Sequence, residues 1–373
     1  MNTPTGLRGE EMTVAALRTL YGRYGYTPYK MSKFEEYDLY VRNKDFLISD
    51  SIITFTDTNG KLMALKPDVT LSIVKNTGDI TDGVRKVYYD EHVYRVAKSS
   101  HTFREIRQMG LECLGEPDAY CRAEVLRLAA ESLRCIAPET VLDVSHLGII
   151  TGLLDRFGVA ADSRGAMLKC IGEKNRHELA QLCAAAGVTE DDTAVLCELA
   201  GLYGAPSEVL PKLRVLLGDT ELAAVVEELE AVLSAVAITE NAAAVRLDLS
   251  VVGDIRYYNG FVFKGFVSGI PGAVLTGGQY DRLLHKMGKA SGAIGFAIYL
   301  DLLEELTVPD EPYDADDVLL YEAALPAEVS RAVAALQQDG RRVLALKALP
   351  EKLRCRRVWR LTESGVEPVE NDA

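Results

Sequence analysis

Four stretches place chemically able side chains close together in the chain. One is Phe103-Arg104-Glu105-Ile106-Arg107-Gln108-Met109-Gly110-Leu111-Glu112. A strand over 108–114 would set Gln108, Gly110 and Glu112 on one face, because side chains alternate along a strand. Gly110 would then leave space between an amide and a carboxylate. That is a floor for a small polar cation: the carboxylate takes an ammonium or imidazole proton and the amide orients the ligand. The same residues also suit a solvated strand face with a glycine bulge. In Lys66-Pro67-Asp68-Val69-Thr70, Pro67 keeps its predecessor extended. There Asp68 or Thr70 either caps the following helix or receives a ligand amine. In Asp254-Ile255-Arg256-Tyr257-Tyr258-Asn259-Gly260, the paired tyrosines either line a pocket or pack in a core. Thr276-Gly277-Gly278-Gln279-Tyr280-Asp281 and Gly292-Ala293-Ile294-Gly295-Phe296-Ala297 carry glycines that admit a close ligand or a tight strand-to-helix turn.

Other chemistries lack their residues. The five histidines show no H-x-x-x-H spacing, and the seven cysteines no C-x-x-C pair, so neither a zinc site nor a disulfide framework is expected. P-loop, G-x-G-x-x-G and G-x-S-x-G motifs are missing from the sequence. The chain has 373 residues, 48% apolar and 26% charged, with a net charge of −14. That balance opposes a surface broadly coated with nucleic acid. Met1 to Gly6 has neither a basic nor an apolar signal-peptide region, and no apolar run reaches spanning length. A cytoplasmic location is the expectation.

The elements that must position these groups follow from patterning. Val14–Tyr24 reads as an amphipathic helix stopped by Gly25. Residues 52–56 and 61–65 flank Asn59-Gly60, a hairpin signal. Strands are expected over 84–89, 92–96 and 109–114, and a helix over 118–136. Residues 155–240, rich in Ala and Leu, read as a helical insert. Strands return at 245–249 and 261–267, and 292–306 reads as a strand feeding a helix. After a linker at 309–312, strands at 317–321, 343–346 and 358–361 and a helix at 327–338 form a small α/β module.

The order of the motifs is more specific than any one of them. The Asn59-Gly60 hairpin, K-P-D-x-T at 66–70, tyrosine-rich strands ending in Arg95, F-R-E-x-x-Q-x-G-x-E, R-Y-Y-N-G-x-V-F, G-G-Q-Y-D and G-A-I-G-F-A follow one another in the chain. This series resembles the histidyl-tRNA synthetase catalytic domain, a class II aminoacyl-tRNA synthetase fold, over roughly residues 4–306. The resemblance implies an α+β class: an antiparallel sheet flanked by helices, over 1–308, with the insert at about 155–240 and a short α/β C-terminal module at 313–373. It also implies a histidine pocket. Asp68 and Thr70 stand where the family holds the substrate's amino end, and Gln108 and Glu112 where a strand contacts histidine. Tyr258 and Tyr280 stand where tyrosines approach the imidazole, and Arg95 where the motif 2 arginine grips the ATP α-phosphate.

The departures fall at the ATP end. Gly253 stands at the catalytic arginine, and Arg256, if on a strand, faces the other side. Leu302 stands at the ATP-binding arginine, Ala97 at the adenine-contacting acid, Lys98-Ser99-Ser100 in the motif 2 loop and Ser32 at the motif 1 proline. Adenylation builds charge on phosphate, and each lost electrostatic donor costs on the order of 10² to 10³ in rate. A histidine end kept beside a dismantled ATP end resembles the regulatory subunit of ATP phosphoribosyltransferase, a paralogue family serving the first step of histidine biosynthesis. That resemblance implies no catalytic residues, cofactor or metal. It implies histidine as feedback ligand, a homodimer, and assembly with a short catalytic subunit, with no tRNA or membrane partner. The alternative is a divergent histidine–tRNA ligase that recruits Arg104 or Arg256; a stand-alone histidine or RNA binder is the third reading. The basic segment 341–360 reads as an RNA-facing remnant, a solvated face or a subunit contact.

Overall fold

The computed structural model describes residues 9–43, 52–80, 82–97, 102–218, 220–238, 243–253, 255–305, 313–322, 324–338 and 340–369. The expectations at Asp254, at Lys98-Ser99-Ser100 and for a linker at 309–312 lie outside the described residues. The chain divides into two compact units, one over 12–306 and one formed by 307–373 with 1–11.

The first unit begins with α1 (Gly9–Arg23), β1 (Thr27–Pro28), β2 (Phe34–Glu36), α2 (Tyr37–Arg42), β3 (Thr54–Thr56), β4 (Leu62–Leu65) and α3 (Thr70–Asn76). The β3–β4 hairpin turns where expected. Gly60 takes φ 81°, and the Asp57 carboxylate accepts the Asn59 and Lys61 amides, both at 2.8 Å. Two long strands follow, β5 (Val84–Val96) and β6 (Phe103–Gly115), paired antiparallel along their whole length. The two strands expected over 84–96 are therefore one: the Asp90-Glu91 step stays in the ladder because Arg18 and Arg107 both pair with Asp90.

Next come α4 (Ala119–Ile136), capped by Asp118, then β7 (Thr140–His146) and α5 (Leu147–Arg156). The expected insert holds α6 (Ala161–Gly172), α7 (Arg176–Ala185), α8 (Glu190–Leu199), α9 (Pro206–Leu217) and α10 (Ala223–Val236). It is not helical throughout: β8 (Tyr203–Gly204) pairs with β9 (Val245–Asp248), which Gly204 permits with φ 153°. The unit closes with β10 (Phe261–Val267), β11 (Leu275–Gln279), α11 (Asp281–Lys286), β12 (Gly292–Tyr299) and a 3₁₀ turn, Leu300–Glu305.

Nine strands form one sheet in the order β1-β5-β6-β12-β11-β10-β7-β9-β8, antiparallel through its centre from β5 to β7. Strand alternation gives this sheet two different faces. One carries Met109, Leu111, Val144, Phe263 and Phe296 into the main core with Leu17 and Tyr21 of α1 and Leu126 and Leu133 of α4. The insert's Val226, Leu229, Val232 and Leu233 join the same core. The other face carries Gln108, Gly110 and Glu112, and across the register Gly295, Ala297, Thr276 and Lys264. The core on one face thus fixes the polar face by default.

The C-terminal unit holds β13 (Ala315–Leu320), α12 (Pro326–Leu336), β14 (Val343–Leu346), β15 (Cys355–Thr362) and β16 (Gly365–Pro368), the last not foreseen, in a sheet of order β14-β13-β15-β16. The basic segment 341–360 straddles the acidic strand β13. Arg342 pairs with Asp316, Arg354 with Asp314, and Arg341 and Arg357 with Asp317. These four arginines thus serve internal ion pairs. Asp317 is fully buried and also accepts the Trp359 indole N–H at 2.8 Å. Substituting Asp317→Ala is expected to destabilise this unit by about 1–3 kcal/mol, since the freed arginines reach water but the indole N–H loses its acceptor. Denaturant unfolding followed by Trp359 fluorescence measures it, and an unchanged midpoint would show the cluster to be decorative.

Candidate functional site

A cavity of about 330 Å³ opens on the polar face of the nine-stranded sheet. Asp68, Thr70, Arg95, Gln108, Glu112, Tyr258 and Tyr280, all singled out from the sequence, line it. They come from five places in the chain between residues 68 and 280, so only the fold unites them.

Glu112 is the centre. It is 2% exposed, and its two carboxylate oxygens accept from the Thr70 hydroxyl at 2.8 Å and the Tyr280 hydroxyl at 2.5 Å. Burial pushes its pKa from 4.5 up to about 8; the two hydroxyls pull it down and the Asp68 charge pushes it up. The side chain has room because its register partner on β12 is Gly295, where a Cβ would run into the Glu112 carboxylate. Asp68 is also buried, and burial raises its pKa, against the Leu71 amide and the Arg95 charge that lower it. Asp68 accepts the Leu71 amide at 2.9 Å, turning the chain into α3, and it also lines the cavity.

The K-P-D loop is pinned from three sides. The Lys66 amide donates to Lys33 at 3.1 Å, its carbonyl accepts from Tyr94 at 2.9 Å, and its fully buried ammonium meets Glu91 at 2.6 Å. Arg95 donates its Nε to the Pro67 carbonyl at 3.0 Å, so the guanidinium stands at the acidic end of the cavity. Gln108, 3% exposed, lines the cavity from the same strand face as Glu112.

Two expectations are corrected. The space over Gly110 is not open: Tyr89, its register partner on β5, lays its hydroxyl 2.5 Å from where a Gly110 Cβ would be. Tyr89 is thus part of the cavity wall, and only the strand register, not the sequence motif, identifies it. Residues 255–257 form a turn, so the strand-face argument about Arg256 does not apply.

Asp281, quoted in the G-G-Q-Y-D motif but given no role, ties three motifs together. Its carboxylate accepts from Asn259 at 2.9 Å, Gln279 at 2.6 Å and the Ala293 amide at 2.9 Å. Gly253, where the sequence resemblance expects an arginine, lines the cavity wall beside Tyr258. A Cβ there would sit 2.6 Å from the Tyr258 ring, and one on Gly278 would meet the same ring at 2.6 Å. The ring between these glycines fills the space into which an arginine stem at 253 would grow. Leu302 packs, half-buried, against the main core.

The fold and the site define a class II synthetase-like protein. The family model described as histidyl-tRNA synthetase matches residues 3–303, and the chain belongs to that family. Among curated relatives, the ATP phosphoribosyltransferase regulatory subunit of Oceanobacillus iheyensis is 25% identical over 338 residues, covering 89% of this chain and 83% of that protein. A solved structure from Bacillus halodurans, titled as an ATP phosphoribosyltransferase regulatory subunit/histidyl-tRNA synthetase, superposes with a TM-score of 0.75 at 20% identity, covering 94% of each chain. A chain of the Thermotoga maritima ATP phosphoribosyl transferase (HisG:HisZ) complex superposes with a TM-score of 0.61 at 20% identity, covering 78% of this chain and 97% of that one. Among the described residues, no helix is long and apolar enough to cross a membrane.

The buried carboxyl has a pH signature. With Glu112 near 8 in the folded state and 4.5 as the ordinary value, the unfolded chain releases this proton first as pH rises. Its contribution to stability therefore falls between about pH 5 and pH 8 and levels off above. The stability difference between wild type and Glu112→Gln is expected to decline across that window in denaturant titrations. A flat difference would mean that the carboxyl ionises normally.

Proposed function

We propose that this protein is the regulatory subunit of ATP phosphoribosyltransferase: without catalytic activity of its own, required by a short catalytic subunit in the first step of histidine biosynthesis, and a sensor of histidine in the cavity described above. One observation carries the reading. The acidic, hydroxyl-lined pocket around Glu112 is assembled complete, while Gly253 and Leu302 occupy the positions where adenylation needs arginines. The names of the curated relatives and of the Thermotoga complex support it.

Chemically, the pocket suits a small ligand with a cationic end. Asp68 and Glu112 offer two carboxylates, Gln108 an amide, and Tyr89, Tyr258 and Tyr280 a ring-lined wall. An amino acid whose side chain is an imidazole supplies an ammonium, a ring and a ring N–H to these partners. Histidine regulates only by binding one state of the assembly better than another, so the pocket acts by shifting that balance.

The decisive assay is phosphoribosyl-ATP formation by a short catalytic subunit, alone, with this protein, and with added histidine. Activity is expected only in the mixture and falls as histidine rises. No effect of this protein would sink the reading, and histidine-dependent ATP–pyrophosphate exchange at enzyme-like rates would replace it with the ligase. In the mixture, Glu112→Gln is expected to keep the activation and weaken histidine binding by about 1–3 kcal/mol. Unchanged inhibition would remove Glu112 from the sensor.

Self-association belongs to the same proposal. Phe34 and Phe55 stack edge to face with centroids 5.2 Å apart on the small sheet β2-β4-β3, and both are exposed, as are Val41 and Leu62. Such an apolar surface supports a homodimer. Sedimentation of the isolated protein at micromolar concentration is expected to give the dimer mass; a monomer would remove this part.

A further inference from the structure

The pocket as read so far explains how a cationic end is held and leaves the other end of an amino acid unaddressed. Its lining contains two cations, Arg95 and Lys264. Arg95 stands beside the acids: its charge lowers the Asp68 pKa and its Nε is occupied by the Pro67 carbonyl. Lys264 stands elsewhere. It lies on β10, three strands from β6, in the register row Gly110–Ala297–Thr276–Lys264. Glu112 leans from β6 over Gly295 of β12, so its carboxylate and the Lys264 backbone are two strand spacings across and two residues along the sheet apart, roughly 12 Å. The floor between them is made of Gly295, Ala297 and Thr276, small side chains that leave a trough. Among the described residues Lys264 makes no ion pair within 4.0 Å; its register partner Asp143 only feels its charge, which lowers the Asp143 pKa.

We propose that Lys264 is the anion end of this trough: its ammonium receives the free α-carboxylate of the amino-acid ligand whose cationic parts meet Asp68 and Glu112. The inference rests on the histidine reading above and adds to it the chemical form the site selects. With Gly253 leaving no guanidinium at the reacting carbonyl, the carboxylate is gripped as a charge. The trough then offers carboxyl groups at one end and an ammonium at the other, and matches a zwitterion. A ligand whose carboxylate has become an alcohol or an ester leaves Lys264 facing a neutral group, at the cost of a lost charge-assisted hydrogen bond. A sensor of this design prefers the free amino acid to its alcohol and ester forms.

Calorimetry on the full-length protein with L-histidine and L-histidinol tests this. Wild type is expected to bind histidine more tightly than histidinol by at least about tenfold. Lys264→Gln is expected to weaken histidine about ten- to a hundredfold while histidinol binds as before or better, because only histidine loses an ionic partner and a cationic ligand loses a like charge nearby. Lys264→Arg is expected to restore the preference. A preference for histidine that survives Lys264→Gln, or an equal loss for both ligands, would overturn the assignment of Lys264 while leaving histidine as the ligand. If wild type bound neither, the histidine reading itself would fall.

Discussion

The carboxylate of Glu112, buried between two hydroxyls, is the interaction on which the rest of the site depends. A carboxyl in so dry a place resists ionisation, and Thr70 and Tyr280 can hold it only if three segments meet there. Thr70 is delivered by the start of α3, which Asp68 caps and the Lys66–Glu91 ion pair anchors. Tyr280 is delivered by the end of β11, which Asp281 fastens to Asn259, Gln279 and Ala293. The carboxylate itself needs a glycine opposite, and Gly295 supplies it. The motifs scattered along the chain are therefore parts of one constraint.

Glycine paired in register with a large polar residue recurs as the building device. Tyr89 lies over Gly110 and Glu112 over Gly295, while the Tyr258 ring is bracketed by Gly253 and Gly278. Each missing Cβ creates a socket on an otherwise flat sheet face, and a neighbouring chain fills it. Tyr89 and Glu112 stand on strands, where geometry is held more tightly than on loops, and Tyr258 and Tyr280 complete the wall from just before β10 and just after β11. The opposite face is largely apolar and packs against α1, α4 and the insert, which keeps the wall from moving.

The same device accounts for what the protein has given up. In this chain the Tyr258 ring stands where a side chain at 253 would begin, so the position cannot carry an arginine without rebuilding the wall. On the proposed reading, a pocket that binds without adenylating is free to act as a gauge of concentration, and coupling that gauge to a partner requires only that the two assembly states hold the ligand unequally. In the C-terminal unit Arg341, Arg342 and Arg357 pair with Asp316 and Asp317 of β13, and Arg354 with Asp314 just before it.

The sequence by itself determined the elements and most of the constellation. Hydrophobic alternation and turn chemistry are local, so the β3–β4 hairpin, α4 and the strand carrying Gln108 and Glu112 were legible residue by residue. The order of the motifs pointed to the family, and with it to Asp68, Thr70, Arg95, Tyr258 and Tyr280 as neighbours. What only the tertiary structure decided is everything that depends on which strands lie side by side. Tyr89 covers Gly110 because β5 and β6 pair in one particular register. Lys264 enters the cavity because β10 lies three places from β6 although some 150 residues separate them in the chain. The pairing of the basic segment with Asp314, Asp316 and Asp317 needed β13 to lie between β14 and β15. Local patterning fixes a residue's face on its own strand; long-range pairing fixes what stands opposite, and that is paid for only when the whole core closes.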